Sequence, residues 1–260
     1  MLSCLAGVLG FPVAHSRSPA MMNAAFRSLR LDWRYLRLPA PAGRFDEIGR
    51  ALPASGYRGV NVTLPHKRAA YELADELGEA AAAIGAVNTL SFGPGGVIRG
   101  ENTDAPGLLD ALGEPVPATA LVLGAGGAGR AAAWALREEG AEVTVWNRTP
   151  EKASALADEL GVRHDERPTR PTDLLVNATS VGLRPGDALE SLPHVEAATV
   201  VDFAYGARPT ALIRRAAARG ARTVEGPELL VRQGASSFEL WTGRPAPLDA
   251  MRAAVIQPHI

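Results

Sequence analysis

Apolar runs separated by polar punctuation recur along the chain and predict strands and helices in turn. Residues 2–9 are an apolar run that reads as a strand, followed by the loop 10–17. Ser18-Pro19 predicts an N-cap with proline at the first helical position, opening a helix through about Leu29. Trp33, Tyr35 and Leu36 predict a second strand, residues 45–52 a helix and residues 59–62 a short buried strand. Alanine-rich helical stretches then reach Ile84, and strand-like runs at 87–92 and 97–100 are divided by a Gly-Pro-Gly-Gly turn.

The pattern breaks at Asn102 to Asp104, where a helix over 105–112 begins and the linker 114–117 follows. Beyond it, strands are predicted at 119–123, 142–146, 174–177 and 199–203, and helices at 128–139, 150–160, 210–219 and 227–241. A last helix, about 248–256, has no sheet of its own and is expected to pack back on the first unit. Strands alternating with helices predict an α/β protein of two α/β units with mostly parallel sheets.

Composition narrows the class. With 260 residues, 47% hydrophobic and 21% charged, the chain can bury a real core and is neither disordered nor fibrous. A net charge of -1 gives no field for nucleic acid or an anionic membrane, so any phosphate must be met locally. Cys4 is the sole cysteine, which excludes an intramolecular disulfide and a multi-thiolate metal site and fits a reducing, cytoplasmic compartment. The apolar opening has no basic segment before it and reads as a strand, and no apolar run is long enough to span a membrane. A small-molecule substrate is the expected partner, with no nucleic acid, membrane or metal, and with monomer or homodimer left open.

Of 27 basic residues only Lys67 and Lys152 are lysines. A chain that uses arginine for ordinary charge keeps lysine where a proton must be exchanged, because only the amine releases one near neutral pH.

Residues 119–123 run straight into Gly124-Ala125-Gly126-Gly127-Ala128-Gly129, which opens a helix. Strand, glycine turn and helix together form the G-x-G-x-x-G context, in which backbone amides and a helix N-terminus receive a pyrophosphate. The next strand ends in Asn147-Arg148-Thr149, without the carboxylate that would hold an unphosphorylated ribose. Arg148, supported by Lys152 on the first turn of the following helix, suits a 2'-phosphate, so NADP is expected rather than NAD. A solvated surface charge is the bland alternative for Arg148.

Polar residues also gather at strand ends of the first unit: Ser16 and Ser18, Asn61 to Lys67, Asn88-Thr89, and Asn102 to Asp104. Ligands of open α/β sheets bind beyond the carboxyl ends of the strands, where these groups fall.

These segments resemble the shikimate dehydrogenase family. The resemblance is carried by Gly10-x-Pro12-x-x-His15-Ser16-x-Ser18-Pro19, Asn61-Val62-Thr63-x-Pro65-x-Lys67, Gly85-Ala86-Val87-Asn88-Thr89, Asn102-Thr103-Asp104-x-x-Gly107, the Gly124 to Gly129 loop with Asn147-Arg148-Thr149, Asn177-Ala178-Thr179-Ser180-x-Gly182, and Asp202, Tyr205, Gly226 and Gln233. It implies a substrate domain of residues 1–103 plus 231–260, a Rossmann NADP-binding domain of 104–230, and a site in the cleft. It also implies NADPH-dependent reduction of 3-dehydroshikimate to shikimate, on the route to chorismate and aromatic amino acids. Ser16 and Ser18 would hold the substrate carboxylate with Tyr205 nearby. Thr63, Asn88 and Gln233 would hold ring hydroxyls, and Lys67 and Asp104 would flank the reacting oxygen. Thr179 and Gly226 would join the glycine loop around the cofactor.

Elementary chemistry agrees, because a hydride delivered to a ketone leaves an alkoxide that needs a cationic donor and a proton. The bland alternatives are a helix N-cap for Asp104, a solvated Lys67 and a buried aromatic wall for Tyr205. His15 reads as a loop-structuring residue, and neither it nor His66 is assigned to catalysis. Met22, Ala207 and Leu229 depart from the family's usual His, Pro and Met. The competing readings are a quinate or shikimate dehydrogenase working with NAD, a relative acting on an amino analogue, and a dinucleotide sensor that has lost chemistry.

Overall fold

A computed structural model describes residues 4–184, 186–206 and 208–256. The chain divides into two compact units, one of residues up to Thr103 together with those from Leu230 onward, the other Asp104–Leu229.

The first, discontinuous unit holds β1 (Cys4–Gly10), α1 (Ser18–Ser28), β2 (Trp33–Pro39), α2 (Phe45–Ala51), β3 (Tyr57–Val62), α3 (Lys67–Leu73), β4 (Glu76–Leu77), α4 (Glu79–Ile84), β5 (Thr89–Phe92) and β6 (Ile98–Glu101). Its sheet runs β2-β1-β3-β5-β6-β4. β1 is parallel to β2 and β3, while β5 is antiparallel to both β3 and β6. Because β5 is reversed, its first residue Thr89 lies opposite Asn61 near the end of β3 and opposite Glu101 at the end of β6. The residues before β5 thus share a rim with those after β1, β3 and β6.

The second, continuous unit follows with α5 (Asp104–Leu112), β7 (Thr119–Leu123), α6 (Gly127–Glu138), β8 (Glu142–Trp146), α7 (Pro150–Leu160), β9 (Arg163–His164), β10 (Thr172–Asn177), β11 (Ala197–Asp202), α8 (Ala211–Ala218) and β12 (Arg222–Val224). The order β12-β11-β10-β7-β8-β9 is parallel throughout and is that of a doubly wound dinucleotide fold, with the order reversing between β7 and β10. Alternate residues of its strands enter two cores: Ala120, Val122, Leu174 and Val176 on one face, Leu121, Leu123, Leu175 and Val200 on the other. A sheet buried on both faces needs apolar residues in succession, which is why these strands are continuous apolar runs.

The chain then enters α9 (Gly226–Thr242) and α10 (Leu248–Ile256). Phe238 of α9 and Met251 and Val255 of α10 pack with Met21, Met22 and Phe26 of α1 in a core of the discontinuous unit, which gives the last helix its sheet.

Ser18 is not the cap of α1. It is the first helical residue, with Arg17 at the cap position and no side-chain cap bond. The Ser18 N–H donates instead to Ser16 Oγ at 3.3 Å, so the hydroxyl two residues earlier closes the turn. Three short edge strands, β4, β9 and β12, were not predicted, being too brief to show a period.

Candidate functional site

In the discontinuous unit the predicted binding residues gather on one rim of the sheet. The ends of β1 and β3 are tied by Thr63 N to Leu9 O at 2.9 Å and Phe11 N to Leu64 O at 3.1 Å. Gly10 permits that approach, because a Cβ there would lie 2.3 Å from the Thr63 methyl. Ser16 and Ser18 are buried. Arg37 Nη2 donates to Ser16 O at 2.8 Å, and since Ser16 Oγ already accepts from Ser18 N, its own proton is available to a carboxylate.

Lys67 opens α3 half-buried, and its carbonyl accepts from Val87 N at 2.9 Å. Asn88, next in the chain, accepts at Oδ1 from Thr103 N at 2.7 Å. Buried Asp104 follows Thr103 directly. Two hydrogen bonds therefore connect the backbone of Lys67, through 87–88, to the residue before Asp104.

Beneath this rim lies a buried neutral network that sequence reasoning did not assign. Tyr35 Oη donates to Asn61 Oδ1 at 2.8 Å, and Asn61 Nδ2 donates to Thr89 Oγ1 at 3.0 Å and Ser237 Oγ at 2.8 Å. Thr89 and Thr103 both reach Asn88 Oδ1, at 3.1 and 3.2 Å. Ser237 Oγ donates to Gln233 O at 3.1 Å, while Gln233 Nε2 bonds Leu230 O at 2.8 Å and leaves its Oε1 as the acceptor. The signal available was spacing: Gln233 and Ser237 are four apart and share one helix face.

His66 is structural. Its ring stacks on Phe45 at 4.5 Å between centroids, and Nε2 bonds Ala40 O at 2.7 Å, an acceptor that fixes the proton on that nitrogen. His15 is exposed in the loop after β1. Met22 and Leu229 sit in apolar cores, and Ala207 lies outside the described residues.

In the continuous unit the glycines separate by function. Gly124 has φ +109° and a Cβ there would meet Ala178 O at 2.9 Å; one on Gly129 would meet Gly124 O at 1.9 Å. A Cβ on Gly126 would meet nothing within 4 Å, so that position alone of the three is open to a ligand. Gly126 caps α6, whose first residues Gly127, Ala128 and Gly129 present backbone amides. Ala125 N is held by Asn147 Oδ1 at 3.3 Å, and Asn147 Nδ2 by Thr149 O at 3.0 Å, which ties the glycine loop to the end of β8. Arg148 and Thr149 are exposed there, and Lys152 lies exposed on the first turn of α7. Arg148 makes no ion pair among the described residues. An open glycine, amide donors and an exposed guanidinium fit a dinucleotide carrying a 2'-phosphate.

Across the strand-order reversal, Thr179 N and Oγ1 donate to Asn177 Oδ1 at 3.1 and 2.7 Å. Asn177 Nδ2 donates to Val181 O at 3.0 Å and to Asp202 Oδ1 at 2.8 Å. Asp202, fully buried at the end of β11, also accepts from Ala204 N at 3.0 Å and Thr210 Oγ1 at 2.5 Å. Burial pushes its carboxyl up from the ordinary value to about 6, against the pull of those three donors. Tyr205 follows, half-buried. Gly226, where a Cβ would lie 2.6 Å from Ala204 O, packs against the same segment.

A doubly wound unit with an open glycine turn, joined to a unit bearing a rim of hydroxyls, amides and one lysine, defines a nicotinamide-dinucleotide oxidoreductase of a small polar substrate. Comparison with known proteins narrows the class. Three family models match: the shikimate dehydrogenase substrate binding domain over residues 8–90, shikimate / quinate 5-dehydrogenase over 110–179, and the shikimate 5'-dehydrogenase C-terminal domain over 227–256. A shikimate dehydrogenase (NADP(+)) of Thermus thermophilus is 49% identical over 248 residues, 91% of each chain. A crystal structure of shikimate 5-dehydrogenase from Thermus thermophilus in complex with NADP(H) and shikimate superposes with a TM-score of 0.86 at 44% identity, covering 97% of this chain and 98% of that one. A ligand-free 5-ketofructose reductase of Gluconobacter matches at a TM-score of 0.85 and 31% identity, covering 98% of both chains. The chain belongs to the shikimate dehydrogenase family.

Proposed function

We propose that the chain catalyses the reversible, NADPH-dependent reduction of 3-dehydroshikimate to shikimate. The observation that carries this reading is the convergence on one rim of the Ser16 and Ser18 hydroxyls, Thr63, Lys67 and the inward-anchored Asn88. Residues 1–103 with 231–260 form the substrate domain, and 104–230 the NADP-binding domain. When bound, NADPH supplies the hydride.

The protein's own groups do the rest. Ser16 and Ser18 hold the substrate carboxylate, with Tyr205 supporting them, and Thr63, Asn88 and Gln233 hold ring hydroxyls. Lys67 donates a proton to the oxygen as negative charge develops on it, and Asp104 flanks the same oxygen. In the reverse direction Lys67 takes the hydroxyl proton. Gly124, Ala125, Gly126, Gly127, Ala128 and Gly129 supply the pyrophosphate loop, and Thr179 and Gly226 line the cofactor. Asn147, Arg148, Thr149 and Lys152 receive the adenosine end, with Arg148 on the 2'-phosphate. No helix among the described residues is long and apolar enough to cross a membrane, and we place the enzyme in the cytoplasm as a monomer or homodimer without nucleic-acid or membrane partners.

Loss of NADPH absorbance on adding 3-dehydroshikimate tests the reading, followed by oxidation rates for shikimate and quinate with NADP+ and NAD+. Shikimate with NADP+ is expected to be fastest. NADPH binding without turnover of 3-dehydroshikimate would assign a sensing role instead.

A further inference from the structure

We propose that the buried hydroxyl network makes Asn88 an obligate hydrogen-bond donor to the substrate, with Thr103 as the positioning residue that sets its polarity. The inference rests on the reading that Asn88 touches a substrate hydroxyl.

A side-chain amide offers two chemically opposite faces, and something must decide which meets the ligand. Here the decision is made by a group that can only donate. The Thr103 backbone N–H lies 2.7 Å from Asn88 Oδ1, so the oxygen faces inward. The Thr103 and Thr89 hydroxyls reach the same oxygen at 3.2 and 3.1 Å, which uses all its acceptor capacity. The direction of these hydroxyl protons is itself enforced. Asn61 Nδ2 also reaches the carbonyl oxygen of Asn88 at 3.4 Å, a pure acceptor, so Asn61 presents N–H rather than oxygen to Thr89 and Ser237. With Asn61 donating into it, Thr89 Oγ1 sends its own proton onward, and Ser237 Oγ sends its proton to Gln233 O.

What remains is Asn88 Nδ2. The residue is 2% exposed, and Nδ2 takes no acceptor among the described residues. No buried side-chain nitrogen or oxygen among the described residues lacks a partner, so this NH2 opens to solvent at the rim. A ligand that displaces the solvent there must supply a lone pair in its place. A hydroxyl or carbonyl oxygen meets that demand, whereas an ammonium at the same ring position places donor against donor. Asn88 therefore selects oxygen over a charged nitrogen substituent.

Asn88→Asp is the decisive variant, because every inward contact to Oδ1 is a donor and suits a carboxylate oxygen equally well. The fold should persist, while the outward group changes from donor to acceptor. Shikimate affinity, measured by titration calorimetry as the variant-to-wild-type ratio, is expected to fall about tenfold to hundredfold at pH 8. The ratio should recover several-fold only once pH is lowered far enough to protonate the substituted carboxyl, which the three inward donors hold in its ionised form, and so restore an outward O–H donor. The titratable groups nearest position 88 along the chain and the sheet are Lys67, Glu101 and Asp104, and the new carboxylate titrates together with them. NADP+ affinity should not move.

A weakened ratio with no recovery at low pH would leave Asn88 on the substrate and overturn its donor role. An unchanged ratio in an enzyme that oxidises shikimate would remove Asn88 from the site while the proposed reaction stands. Failure of the wild-type chain to bind shikimate at all would overturn the functional reading and this inference with it. If Asn88→Asp does not fold, Thr103→Val against Thr103→Ser decides the matter. Valine is expected to raise the Michaelis constant for shikimate about threefold to tenfold at unchanged turnover, with serine restoring it. A Val variant indistinguishable from wild type would overturn the positioning role of the Thr103 side chain, since valine keeps the backbone N–H and removes only the hydroxyl.

Discussion

Each unit has an asparagine at the heart of a buried polar knot, and the two knots are built on opposite electrostatic principles. In the discontinuous unit Asn61 sits among Tyr35, Thr89, Thr103 and Ser237, all neutral. In the continuous unit Asn177 sits against the carboxyl of Asp202, which accepts from Asn177, Ala204 and Thr210. The neutral knot fixes the orientation of Asn88, the side chain proposed to meet the substrate. The charged one pins the loop 177–182, where the protein presents mostly backbone. Recognition by side chains needs directional control without a field that would perturb a nearby ammonium, so hydroxyls serve it. A loop whose job is to stay put tolerates a buried carboxyl, at the cost of coupling its stability to pH.

The contrast can be broken at several points. The largest effect is expected from Gly129→Ala, whose methyl would lie 1.9 Å from Gly124 O, a backbone atom that cannot step aside. Thermal unfolding should show a loss of at least about 3 kcal/mol, the upper range for overpacking. Gly126→Ala, which meets nothing in the protein, should keep its melting temperature and lose NADP+ affinity.

Asp202→Asn comes next. A folded carboxyl at about 6 against an ordinary 3.8 binds its proton more tightly when folded. Stability from this group is therefore greatest below about pH 4 and falls as pH rises to about 6, by roughly 3 kcal/mol in order of magnitude. Denaturant unfolding across that window should be flatter in Asp202→Asn, since the amide does not titrate. The Thr103→Val variant, in the neutral knot, should keep the wild-type slope.

Lys67→Arg keeps the charge and removes the exchangeable proton, so steady-state turnover should fall about a hundredfold, with shikimate affinity changing far less. A near-normal rate would return Lys67 to simple binding. The smallest effect is Arg148→Ala, which should raise the Michaelis constant for NADPH about tenfold to hundredfold and leave that for NADH in place. Equal losses with both cofactors would remove Arg148 from the 2'-phosphate.

How much of this was legible depended on whether a feature is local. The four longer strands of the continuous unit, β7, β8, β10 and β11, and its glycine turn read directly, because a sheet covered on both faces writes itself as unbroken apolar runs. The short edge strands β9 and β12 did not. The helix at 248–256 was legible as a helix without a sheet, and the core of Met251 and Val255 with α1 supplies its partner. The polar rim residues Ser16, Ser18, Lys67 and Asn88 stood out by type. The network under them did not, because Tyr35, Asn61, Thr89 and Ser237 are distant in sequence and meet only after β5 reverses direction. The role of Ser18 was misread for a related reason: Ser-Pro at a helix start has a strong cap signature, and the competing Ser16 hydroxyl is visible only in three dimensions.

The division of the chain also sets an order of construction. α1 buries Met21, Met22 and Phe26 against Phe238, Met251 and Val255, residues that leave the ribosome more than two hundred positions later. The continuous unit, by contrast, is complete once Leu229 has emerged. The usual amino-to-carboxyl sequence of domain folding is therefore inverted: the half made first closes last. Until those residues arrive, the apolar face of α1 lacks the partners that cover it in the folded chain.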